Sequence, residues 1–169
     1  MKVMCSETDE VGSYVSPHFD TLTQEILAQR SYLRFKARGQ SMRPFIHSGD
    51  ALLIEPRDGA KLKIGDVILY RRPSGTYVVH RLIKKNGSAV LITKGDSLNY
   101  YDASIPAEQV MGRVIQIEGR GRLLRLQAGP SRAFGWLLAW LARGRNRNRI
   151  RLMRNLSRVW WFLAGKRVT

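Results

Sequence analysis

The chain has 169 residues, 44% of them apolar, which is enough for one domain with a genuine core, and a formal net charge of +16. Its single cysteine, Cys5, excludes an internal disulfide framework, and its three histidines have no cysteine partners at zinc-ligand spacing, so no metal or other cofactor is expected. The charge is uneven: thirteen Lys or Arg and no acidic residue follow Glu118, a field suited to anionic lipid head groups or nucleic-acid phosphate.

Residues 1–20 read as a flexible N-terminus. They contain Glu7, Asp9, Glu10 and Asp20 and lack the apolar core of a secretory signal peptide. A helix is expected in 21–38, from Thr21 to about Lys36. Thr21 and Gln24 match a capping box, and Phe19, Leu22, Ile26 and Leu33 can share one face. Residues 39–127 read as a β domain, with short runs rich in Val, Ile, Leu and Tyr at 51–54, 67–70, 77–83, 89–92 and 110–117. Turn residues separate them, and Asn86-Gly87 marks a hairpin. Strands at this spacing without intervening helices predict a mainly β fold, a coiled sheet or partly open barrel.

Gly129-Pro130 breaks the pattern and opens a basic, Trp-rich extension, 128–169, with helices expected near 131–143 and 148–164. In the second helix Leu152, Leu156, Val159 and Leu163 follow helical spacing, and Arg147, Arg151, Arg154 and Arg158 form a stripe roughly opposite. Trp160-Trp161-Phe162 lies near its end, the pattern of a helix lying in a membrane interface. The most apolar stretch, Ala133 to Ala142, is about half the ~20 residues that a membrane span needs.

The residues that carry chemistry lie in the β domain. Ser41 sits in Gly39-Gln40-Ser41-Met42-Arg43-Pro44, followed by Gly49-Asp50. A serine hydroxyl becomes a nucleophile only with a base in hydrogen-bond reach. His80 is a candidate base; strand alternation puts it on a face with Val78 and Leu82, opposite Val79 and Arg81. Asp96 and Asp102 compete to orient the imidazole, and each could equally be a turn aspartate. Gly49-Asp50 and Gly65-Asp66 read as turns leading into strands, Lys94 as a solvated lysine, and His18 and His47 as residues without a role.

Gly39–Asp50, Gly65-Asp66-Val67-Ile68, Val79-His80-Arg81-Leu82 and Lys94-Gly95-Asp96 through Asp102, in that order, resemble the signal peptidase I family. That family lies within a wider group of serine endopeptidases that includes the self-cleaving SOS-response repressors. The resemblance covers about residues 35–118. Typical bacterial signal peptidases carry lysine at the base position. Histidine before arginine, with a K-G-D motif downstream, is similar to the endoplasmic-reticulum and archaeal branch. The resemblance implies the family's coiled-sheet protease core, Ser41 as nucleophile, His80 as general base, Asp102 as the orienting acid and Asp96 as a supporting group. Many members have serine two residues before the nucleophile; Gly39 stands there in this chain, which leaves the oxyanion to backbone N–H groups such as that of Ser41. Residues 21–38 are too polar to be the spanning helix that the family places before its serine.

The expectation is therefore a serine endopeptidase that removes a signal or leader peptide from a precursor. It would be cytoplasmic or peripherally attached to an anionic membrane through 131–163. The alternatives are a cytosolic leader-peptide protease without a membrane role, and a non-catalytic relative binding nucleic acid through its arginine-rich tail, the weaker of the two.

Overall fold

The computed structural model describes residues 29, 31–127, 129–143, 148–164 and 166–167. The expected N-terminal segment 1–20 and the first part of the expected helix, 21–28, lie outside the described residues. The remainder of that helix is corrected: Leu33–Lys36 is a strand, β1, paired antiparallel with β2 (Ala51–Pro56). Leu33 alternates inward and Arg34 outward, and the ladder to β2 supplies backbone partners that outweigh a four-residue helical preference.

The fold is mainly β, a curled antiparallel sheet with two helices. β3 (Val67–Arg71), β4 (Tyr77–Asn86), β5 (Val90–Lys94) and β7 (Val110–Gly119) coincide with the sequence runs. β6 (Ile105–Pro106), β8 (Arg122–Arg125) and β9 (Lys166–Arg167) complete it. The order is β1-β2-β7-β3-β4-β5-β6, and β8 pairs with both β7 and β9. The ten-residue β7 lies along β2 on one side. On its other side it pairs first with β3 and then with β8, which splays the sheet and lets it curl. The β4–β5 hairpin turns at Gly87 with φ +65, and Asn86 faces Val90, so the connection is three residues rather than two.

The sheet buries both faces. On one, Val67, Leu69, Tyr77, Val79, Val114 and Ile117 pack with Phe134, Leu138 and Trp161 from the helices. On the other, Ile68, Tyr70, Val78, Leu82 and Leu91 form a second cluster. The helices are α1 (Gly129–Arg143) and α2 (Asn148–Ala164), where helical periodicity predicts them. Among the described residues no helix is long and apolar enough to cross a membrane.

Phe134, Leu138 and Trp161 are buried, and each buried side chain of this size stabilises by about 1.5–3 kcal/mol. Their sum is comparable with the whole net stability of a typical domain, about 5–15 kcal/mol. The helices therefore contribute to the β domain's core. Gly65, at φ +95, shows how close they approach: a Cβ there would lie 2.7 Å from the backbone of Gly135.

Candidate active site

Ser41 sits in the turn that links β1 to β2. Backbone bonds from Ala37 N–H to Asp50 C=O and from Gly49 N–H to Ala37 C=O close its base. Met42, Phe45 and Ile46 bury themselves in the core just beyond the serine, so the turn is pinned from within. Asp50 accepts from His47 N–H, a role in turn geometry as the sequence suggests.

The turn is also held from the K-G-D side. Ser97 N–H donates to the Ser41 carbonyl at 2.9 Å, and the Ser97 hydroxyl lies 2.9 Å from the same oxygen and 3.0 Å from that of Gln40. A Cβ on Gly95 would stand 2.7 Å from the Ser41 carbonyl oxygen, so this approach requires glycine.

His80 projects from β4 onto the face shared with Val78 and Leu82. Its Nε2 is 3.0 Å from Ser41 Oγ and its Nδ1 is 2.6 Å from Asp102 Oδ2. With Nδ1–H donating to the carboxylate, Nε2 is the atom that accepts from the serine hydroxyl. Ser41 and His80 are both buried, where such bonds are stronger than in water.

Asp102 is tied to β5 twice: its N–H donates to Thr93 C=O at 2.9 Å, and the Thr93 hydroxyl donates to Oδ2 at 2.6 Å. Arg72 Nη2 stands 3.5 Å from the other oxygen. Burial alone would raise the Asp102 pKa, but the hydrogen bond and charge of His80, the Thr93 hydroxyl and Arg72 outweigh it and hold the carboxyl below its ordinary value. Burial and the Asp102 charge push the neighbouring Tyr70 phenol up. Arg72 also borders a cleft of about 400 Å³ lined by Arg71, Pro73, Glu108, Gln109 and Met111.

Asp96 does not touch His80. Its two oxygens take a bidentate pair from Arg81, Nε at 2.8 Å and Nη2 at 2.7 Å, with both side chains 1% exposed. Arg81 Nη1 donates to Gly65 C=O, and its guanidinium lies over the Phe45 ring. Arg81 thus ties the 95–97 turn to the serine turn on the face of β4 opposite His80. An arginine inside an apolar strand needs a buried counter-charge, and that was the available signal for Asp96.

Lys94 is corrected from its solvated reading. It is buried, and its ammonium donates to the Ala142 carbonyl at the C-terminal end of α1 and sits over the Tyr101 ring. A cation there complements the helix dipole. Tyr101 O–H donates to Arg143 C=O, and Arg143 donates to Ile83 C=O on β4. Trp161, read from sequence as part of an interfacial aromatic cluster, is corrected likewise: it is buried, and its indole N–H donates to Phe45 C=O at 2.9 Å. The helices therefore brace the loop of Asp102 and the turn of Ser41. Among the described residues no three His, Cys, Asp or Glu side chains gather as metal ligands would.

The family model described as Peptidase S24-like matches residues 5–115. The chain belongs to that family. The match covers the turn of Ser41, the strand of His80 and the loop of Asp102, and it assigns the chain to a group of serine-type peptidases and related proteins, a coarser class than signal peptidase I. A comparison with curated proteins finds no match.

Proposed function

We propose that this S24-like protein is a serine endopeptidase of the signal-peptidase type, which removes a signal or leader peptide from a precursor. The observation that carries the reading is the continuous array Ser41 Oγ, His80 Nε2, His80 Nδ1, Asp102 Oδ2, with separations of 3.0 and 2.6 Å. Ser41 attacks the scissile carbonyl while His80 Nε2 takes its proton. Asp102 stabilises the imidazolium and fixes its tautomer, and backbone N–H groups at the turn, including that of Ser41, receive the oxyanion. His80 then protonates the leaving amine, and water, deprotonated by the same nitrogen, releases the acyl group.

The histidine before Arg81 and the Lys94-Gly95-Asp96 motif support the signal-peptidase type, and with it a preference for small side chains at P1 and P3. The test is mass-spectrometric digestion of a peptide panel bearing Ala-x-Ala sites, using the native chain, Ser41→Ala and His80→Ala. Cleavage after the second alanine by the native chain alone is expected. Failure of the native chain to cut any peptide, or equal cutting by Ser41→Ala, would refute the reading.

A further inference from the structure

The outward faces of the two helices hold apolar side chains that the fold leaves in solvent. On α1, Trp136 and Trp140 lie one turn apart and are 56% and 57% exposed. On α2, Leu152, Val159 and Leu163 are exposed at helical spacing, and Phe162 beside them is 68% exposed. Among the described residues the other large exposed side chains of this class are three tyrosines, Tyr32, Tyr100 and Tyr101. The helices' inner faces are already used, by Phe134, Leu138 and Trp161, so these outer side chains are surplus to the core.

Exposed charges on this stretch, among them Arg125, Arg132, Arg158 and Lys166, are basic, and no Asp or Glu follows Glu118 in the sequence. The side chains of Arg147, Arg151 and Arg154 lie outside the described residues. Basic side chains alone would suit any polyanion. Leu152, Val159 and Leu163 gain nothing from phosphate and cannot stack on bases, whereas an acyl-chain boundary accepts them, and tryptophan prefers that boundary.

We propose that the outer face of α1 and α2 seats the protein in the interface of an anionic phospholipid bilayer. The helices lie on the membrane, with Trp136, Trp140, Phe162 and Leu163 in the headgroup–acyl boundary and the arginines at phosphate level. Because Trp161 and Lys94 tie the inner faces of the same helices to the turn of Ser41 and the loop of Asp102, the seat also fixes the orientation of the catalytic array over the bilayer.

Co-sedimentation of the full chain with phosphatidylcholine vesicles, with and without phosphatidylglycerol, tests this. Binding to the anionic vesicles is expected, weaker on phosphatidylcholine alone and weakened by salt. The combined variant Trp136→Ser, Trp140→Ser, Leu163→Ser, which keeps Phe162 and the Arg122 guanidinium over its ring, removes only exposed side chains, so its circular dichroism and its peptide cleavage without vesicles should match the native chain. Its vesicle binding should fall by at least about tenfold, since binding scales with buried apolar area. No binding by the native chain, or equal binding by the variant, would overturn the proposal. So would duplex DNA displacing native chain and variant alike, which would mark a plain polyanion site. Cleavage without vesicles is read separately, so loss of the membrane seat and loss of the peptidase reading are distinguishable.

Discussion

Asp96→Ala and Asp102→Asn should both abolish activity, but for different physical reasons. Removing the Asp96 carboxylate strands the Arg81 guanidinium, 1% exposed, whose remaining partners among the described residues are Gly65 C=O and the Phe45 ring. Breaking a buried ion pair from one side costs about 3–5 kcal/mol. In a chain of this size each kcal/mol lowers Tm by about 2–4 °C, so Asp96→Ala should melt roughly 6–20 °C early. Asp102→Asn keeps the shape and strands no fully buried charge, so its Tm should fall by less than that of Asp96→Ala while turnover collapses. Urea titration and calorimetry, run beside peptide cleavage, separate the two. The double variant Asp96→Leu, Arg81→Met replaces the pair with apolar groups and should recover most of the lost stability. If Asp96→Ala unfolds within about 0.5 kcal/mol of the native chain, the level of an ordinary surface substitution, the ion pair does not hold the 95–97 turn as argued.

Three further expectations follow from the same contacts. Thr93→Val retains the side-chain shape but removes the donor to Asp102, which should lower stability by about 1.5–3 kcal/mol, the worth of a hydrogen bond to a charged group. It should also reduce kcat/KM by about ten- to a hundredfold through misplacement of His80, with Thr93→Ser restoring both. Trp161→Phe leaves the Phe45 carbonyl with only the longer bond from Arg120 among the described residues; a loss of about 0.5–1.5 kcal/mol in urea unfolding is expected, and an unchanged midpoint would show that α2 does not brace the serine turn. The Asp102 carboxyl is held below its ordinary value, so on acidification the unfolded chain takes that proton first. Its contribution to stability is complete above the usual aspartate value of about 3.9 and drains away as pH falls below it, a slope that Asp102→Asn should lack in pH-dependent unfolding.

The strands that were legible in the sequence are the ones that bury β-branched runs between turn residues, β2, β3, β4, β5 and β7. β1 was not: Leu33-Arg34-Phe35-Lys36 alternates correctly, but it follows an amphipathic stretch, and only its ladder to Ala51–Ile54 decides its state. β8 is a short, basic segment that closes a tight hairpin with β7, and β9 is another, whose pairing with β8 is set by α2 returning the chain to the sheet. At the site, the motif around Ser41 and the face of His80 could be read locally. Asp96 and Asp102 could not be separated, because both are turn aspartates and the partner of each is fixed by strand pairing. Thr93 escaped notice for the same reason; opposite Leu82 in the β4–β5 ladder, it shares His80's face. Lys94 and Trp161 were misassigned because periodicity reports where a side chain sits on its own element, and their partners lie across the fold.

The bond from the Trp161 indole to the Phe45 carbonyl has a consequence for how the protein comes into being. The hydroxyl-bearing turn leaves the ribosome long before the tryptophan that steadies it, and in between its core neighbours Phe45 and Val114 lack the cover of Phe134 and Leu138. A nascent chain carries Ser41, His80 and Asp102 before the helices that brace their turn and loop have been made. On the proposed peptidase reading, the brace on the serine turn is in place only once residue 161 has been made.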